Sequence, residues 1–139
     1  MALKSFPTFV NAPKTGLVQI VNADASGQKT VLAAGADGSK VTSLRACSDD
    51  TAARVLQISK LRSGTNYVIG SVNVPAASGT DGTAVAVDLM NSTMLPGLPK
   101  DNDGQPYIFL ESGDSLQVKS LTTVTAAKTV HVVADYANF

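Results

Sequence analysis

The sequence holds 139 residues, of which 44% are hydrophobic, 5% aromatic and 16% charged, with eleven basic residues set against eleven acidic ones. A single domain of this size buries about two-thirds of its unfolded surface, enough for a core without disulfide or metal staples. The formal net charge of zero excludes the general Lys/Arg excess by which proteins grip nucleic acid, and no segment approaches the ~18 apolar residues of a membrane-spanning helix.

With no Trp and few aromatic residues, the core must be built from Val, Leu, Ile and Ala. The charged fraction is below the roughly 25% of ordinary domains, so self-repulsion is small and close packing of many copies is unopposed. Cys47 is the single cysteine, which rules out an intrachain disulfide. It ends a strand-like run, residues 43–47, and is expected to be a buried, inert thiol. The opening Met1-Ala2-Leu3-Lys4-Ser5-Phe6-Pro7 lacks the apolar stretch of a signal peptide. The expectation is a protein made in a reducing cytoplasm.

In chain order, residues 1–16 are expected to form an extended N-terminal arm, because Pro7, Pro13, Asn11 and Gly16 deny it a helix. Phe6, Phe9 and Val10 have no local apolar partner there and suit docking on a neighbouring subunit. From residue 17 to 139 the pattern is that of one β-sandwich domain. Strands are expected at 17–22, 30–34 and 40–47, separated by turns at 24–27 and 35–38 that are rich in Asp, Gly and Ser. The segment 53–74 reads as a β-hairpin turning at 63–66. Val68, Gly70, Val72 and Val74 share one face of its second limb.

A loop rich in Ala, Ser and Gly follows over 75–83. Residues 84–90 then alternate as a strand, with Val85, Val87 and Leu89 on one face. Met94-Leu95-Pro96-Gly97-Leu98-Pro99 is an apolar loop that its prolines keep out of a regular central strand. Further strands are expected at 106–110, 115–121 and 129–135, with His131 facing outward or across a subunit contact. The best helical candidate, 49–55, is equally well a short turn. Eight to nine short strands at spacings of about 8–12 residues predict an all-β fold, an antiparallel β-sandwich or jelly-roll-like barrel.

Few groups are placed for chemistry. One His and one Cys allow a Cys–His pair in principle, but nothing in the sequence brings them together or supplies an orienting group. The count of His and Cys excludes a zinc site of the usual kind. Asp101-Asn102-Asp103-Gly104 departs from calcium-loop spacing, because its glycine follows directly on the second aspartate, and it reads as a hairpin turn. No phosphate-binding glycine loop is present. Arg45, Arg54, Lys60 and Arg62 are compatible with a modest basic patch, or with ion pairs to Asp49 and Asp50. No cofactor or metal is expected, and neither is catalysis.

Several segments taken in order carry a family resemblance. They are Asp49-Asp50-Thr51-Ala52-Ala53-Arg54-Val55-Leu56-Gln57, Tyr67-Val68-Ile69-Gly70-Ser71-Val72-Asn73-Val74-Pro75, Ser78-Gly79-Thr80-Asp81-Gly82-Thr83, residues 98–107, residues 110–118 and residues 124–130. Their order over residues 30–135 resembles the small β-rich head proteins of tailed bacteriophages, the capsid decoration or cement proteins.

The resemblance implies a virion structural protein that binds the outer surface of the phage head. Its partners would be the major capsid protein and further copies of itself, with a homotrimer at capsomer junctions the expected state. It would be made in the host bacterial cytoplasm and end on the capsid surface, without nucleic acid or membrane as partner. The contact residues expected from the sequence are Phe6, Phe9 and Val10 in the arm and Met94, Leu95 and Leu98 in the apolar loop; the loop residues are equally suited to plugging the core. The alternatives are a tail or head–tail junction component, a host- or carbohydrate-binding β-sandwich module needing an exposed aromatic platform, and, more distantly, a hydrolase using His131 or Cys47.

Overall fold

The computed structural model describes residues 12–139. They form nine strands and one short 3-10 turn: β1 (Ala12–Val21), the turn (Asn22–Asp24), β2 (Lys29–Ala33), β3 (Ser39–Ser48), β4 (Arg54–Arg62), β5 (Thr65–Val74), β6 (Val87–Asp88), β7 (Ile108–Leu110), β8 (Ser115–Ser120) and β9 (Thr129–Asn138). The strands make two antiparallel sheets. One has the order β1-β9-β3-β6, with β7 also on β3; the other has the order β2-β8-β4-β5.

On β3, β6 pairs with Arg45 and Ala46 while β7 pairs with residues 39–41. The two thus lie end to end along one flank, like a single broken strand. Counted so, the pairing is nested: β4 with β5, β3 with β6/β7, β2 with β8, and β1 with β9. A long hairpin rolled up in this way, its limbs dealt alternately to two sheets, is a jelly roll. The all-β sandwich expected from strand spacing is the fold observed.

Period-two alternation builds the core. In β9, Val130, Val132 and Ala134 are buried while His131 and Asp135 are exposed. Ile20, Leu44, Leu56, Ile58, Leu116 and Val118 meet them between the sheets. Each such aliphatic side chain contributes about 1.5–3 kcal/mol on leaving water. The fully buried set contains no aromatic residue among those described, as the composition requires.

The β4–β5 hairpin is tighter than its sequence suggests. Ser63 and Gly64 both have positive φ, 50° and 79°, the condition for a two-residue turn whose twist matches the strands. Thr65 and Asn66 therefore belong to β5 rather than to the turn. A register shift opposite Ile58/Ser59 makes Ile69 a bulge, and this reverses the faces beyond it. Val72 and Val74 are buried, whereas Val68 is 58% exposed, so the expected four-residue apolar face is broken at Val68. A Cβ at Gly70 would overlap the Leu95 side chain, so the loop passes where only glycine leaves room. Gly70→Ala is expected to cost about 1–3 kcal/mol through overpacking, measured as a lowered urea midpoint with an unchanged denaturant slope.

Two other expectations are corrected. The strand expected at 17–22 begins at Ala12, pairing Ala12 with Asn138, so the last positions of the expected 1–16 arm are sheet. Pro13 is tolerated because β1 is an edge strand among the described residues, with β9 its one paired neighbour there. The strand expected at 84–90 shrinks to Val87–Asp88. There Asp88 Oδ1 accepts from the Met90 backbone N–H, and Asn91 Oδ1 accepts from that of Met94. The Leu89 N–H still bonds to the Leu44 carbonyl of β3, and the Asp88 and Asn91 bonds turn the chain after it, with Leu89 and Met90 plugging the core. Ahead of the strand, Asp81 Oδ1 accepts from the Thr83 and Ala84 N–H groups and Val85 stands 80% exposed.

Candidate interaction surface

Buried polar pins hold the loops at the ends of the sandwich. Asp50, fully buried, accepts hydrogen bonds from Arg54 Nε (2.7 Å), Thr125 Oγ1 (2.7 Å), and the backbone N–H groups of Thr125 (3.0 Å) and Ala52 (3.0 Å). Burial pushes the Asp50 carboxyl up, but the bonds from Arg54, Thr125 and Ala52 outweigh it and hold the group well below the usual carboxylate range. Asp114 is gripped by Arg62 through two bonds of 2.6 Å, and its Oδ2 accepts from the Glu111 N–H. The Arg62 bonds set its carboxyl below the ordinary value against the opposing effect of burial. Ser39 Oγ donates to Asn138 Oδ1 and accepts from the Gly35 N–H, tying the start of β3 to the end of β9.

On this rigid frame the outer face of the β1-β9-β3 sheet is laid out in cross-strand rows. Leu17, Val133 and Arg45 form one; Gln19, His131 and Cys47 form another; Pro13, Ala137, Lys40 and Phe109 form a third. Leu17 is 69% exposed and Phe109 47%. Phe109 stacks edge-on against Tyr107 (4.8 Å between centroids) and tilts against Phe139 (5.9 Å), and Lys40 Nζ lies 4.5 Å from the Tyr107 centroid. Two open depressions mark this face. One, of about 410 Å³, includes Pro13, Thr42 and Asp135 in its lining; the other, of about 300 Å³, includes Leu17, His131 and Val133.

His131 and Cys47 are direct cross-strand partners, a juxtaposition the sequence did not reveal. His131 is exposed and Cys47 half-buried, and the two share no hydrogen bond. Gly79 lies against the thiol, since a Cβ there would come within 2.7 Å of Sγ. The thiol is thus on the outer face under a loop, not in the core as expected.

The expected basic patch is dispersed: Arg54 is engaged by Asp50, Arg62 by Asp114, and Arg45 lies on the other sheet. The aspartate turn is a hairpin turn, with Asp101 Oδ1 accepting from the N–H groups of Asp103 and Gln105. Among the described residues, no cluster of His, Cys, Asp and Glu is arranged to hold a metal.

The expected contact residues separate. Phe6, Phe9 and Val10 lie outside the described residues. Met94 is 48% exposed, Leu95 is buried in the core, and Leu98 is half-buried against it. Of the loop trio, Met94 presents the largest free surface to a partner, about half of the residue, because Leu95 fills the space over Gly70. Sequence reasoning missed Leu17 and Phe109. The signal for Phe109 was available: in Ile108-Phe109-Leu110 the middle residue must face opposite to its neighbours.

No protein-family model matches the chain, and no curated protein matches it. Among solved structures, the Drosophila NLP core, described with pentamer formation and histone binding, aligns at a TM-score of 0.48 and 11% identity, covering 91% of this chain and 97% of that one. The cyanophage Pam1 capsid asymmetric unit aligns at 0.46 and 18%, covering 99% and 94%. The virus-like particle of the extra small virus of the prawn Macrobrachium rosenbergii aligns at 0.34 and 11%, covering 99% and 87%. These values lie below the level at which a shared role follows.

Proposed function

We propose that this chain is a virion structural protein, a decoration protein that binds the outer surface of a tailed-phage head and acts by adhesion, without turnover. The observation that carries the reading is a mixed outer sheet face on which two large apolar side chains, Leu17 and Phe109, stand exposed among polar neighbours, on a pinned and electrically neutral sandwich. Apolar side chains held rigidly outward lose little entropy when a partner covers them. The resemblance over residues 30–135 agrees with it. The jelly roll agrees by analogy alone, since viral capsid domains share that architecture with lectins and cupins. Binding to the major capsid protein as a trimer at capsomer junctions is the assembly proposed; many modest contacts would act multivalently.

The test is to add purified protein to shells that lack it and count copies by cryo-electron microscopy. Leu17→Ser with Phe109→Ser is expected to reduce occupancy at least tenfold while the fold persists, the melting temperature falling by no more than roughly 10 °C because Phe109 gives up its contacts with Tyr107 and Phe139. Shells that stay bare with the native protein would count against the proposal. A glycan-binding module is the second reading, favoured by the Tyr107–Phe109–Phe139 cluster. Its rings cross at 65° and 43° rather than forming one flat platform, and calorimetry against glycans separates the two.

A further inference from the structure

A sheet edge is a row of backbone N–H and C=O groups waiting for a strand, and proteins blunt it with charge, proline, shortness or a cover. Three of the four edges among the described residues are blunted. β1 carries Pro13 and Lys14 near its start. β2 is five residues long, is bulged, and has β1 close alongside: a Cβ on Gly16 would come within 2.7 Å of the Val31 carbonyl oxygen. β6 and β7 have two and three residues.

β5 is different. It is ten residues long, contains no charged residue and no proline, and among the described residues pairs only with β4. In its second half the 94–95 loop approaches at Gly70, with the Leu95 side chain and the Met94 carbonyl oxygen nearest, and Val72 and Val74 are buried. Its first half is bare: residues 65–68 are all exposed, Tyr67 and Val68 at 58% each.

We propose that β5 is a self-association edge, pairing antiparallel with β5 of a second copy about a two-fold axis at Tyr67. The unpaired backbone fixes the occupant as an extended strand. A strand without charge meets its own copy without repulsion, and the molecule as a whole is neutral. The symmetry fixes the register. A two-fold axis normal to the sheet keeps each face on its own side, so residues must meet partners of equal parity. Centring on Tyr67 gives Tyr67–Tyr67, Asn66–Val68 and Thr65–Ile69, which uses the bare stretch and stops short of Gly70. The contact is small, below the ~1,000 Å² of a stable complex. It is therefore weak in dilute solution and gains strength where copies are held side by side. It is separate from the three-fold grouping proposed above and joins molecules two at a time.

The test uses the single cysteine. In a Cys47→Ser background, Tyr67→Cys places two thiols opposite each other. Cross-strand Cα separations of about 4.5–5.5 Å lie within disulfide reach. Under mild oxidation it is expected to form covalent dimer at least tenfold faster than Val85→Cys, a control outside β5 whose position is the more exposed of the two, 80% against 58%. Sedimentation of the native protein to about 1 mM should show a reversible dimer that Tyr67→Lys abolishes, with circular dichroism confirming that the variant is folded. Equal cross-linking rates at 67 and 85, or association unchanged in Tyr67→Lys, would overturn the proposal.

Discussion

Replacing Asp50 by alanine is expected to cost about 3–5 kcal/mol, as removal of one partner from a buried ion pair does. The carboxylate is fully enclosed and serves four donors on three residues, Ala52, Arg54 and Thr125. Its loss leaves the Arg54 guanidinium, itself mostly covered, with only the two threonine hydroxyls of Thr122 and Thr125. The Thr125 N–H has no replacement acceptor inside the fold. In a chain of this size the loss should lower the melting temperature by roughly 10 °C or more, and scanning calorimetry measures it.

The same residue sets the acid limit. The folded chain holds the Asp50 and Asp114 carboxyls below the ordinary aspartate value, so between the folded and unfolded values the unfolded chain binds more protons. The stability they contribute is complete above that ordinary range and drains away as pH falls below it. Urea midpoints from about pH 7 down to pH 2 should therefore fall steeply in the native protein. They should fall less in Asp50→Asn, which has no charge there to lose.

The second large effect is at Leu95. Leu95→Ala is expected to destabilise the fold by about 2–5 kcal/mol, whereas Met94→Ala, one residue earlier, should change stability by less than about 0.5 kcal/mol. The two side chains share a loop and a similar volume, but Leu95 is 1% exposed over Gly70 and Met94 looks outward. Equilibrium denaturation of both variants separates core from surface directly. Equal losses would mean that Met94 is also held by packing. In shell binding the order should reverse, with Met94→Ala weakening attachment more than its small stability change accounts for.

Strand existence was legible because one face of each long strand is buried. The alternation of Leu116 and Val118 in β8, and of Val130 and Val132 in β9, marks the core directly. Legibility ended where one local hydrogen bond or one extra residue decides the outcome. The Ile69 bulge moves Val68 from inside to outside without changing the apolar pattern. The Asp88 side chain turns the chain after Leu89 through a bond from the Met90 N–H, a choice periodicity cannot register. The pairing of Cys47 with His131 follows from which strands become neighbours, a long-range fact that no window of sequence contains. The ion pair of Arg54 with Asp50, by contrast, spans four residues and was open to a local reading.

Nested pairing also bears on how the chain reaches this state. The β4–β5 limb needs only a two-residue turn to close, whereas β1 and β9 meet only after nearly the whole chain has been gathered between them. Closure entropy rises with the length enclosed, so acquisition should proceed from the innermost limb outward and be slow for a chain of this length. The outermost seam, from Ala12–Asn138 to Val21–Thr129, is then the last to zip, and native-state hydrogen exchange should find it the first to open.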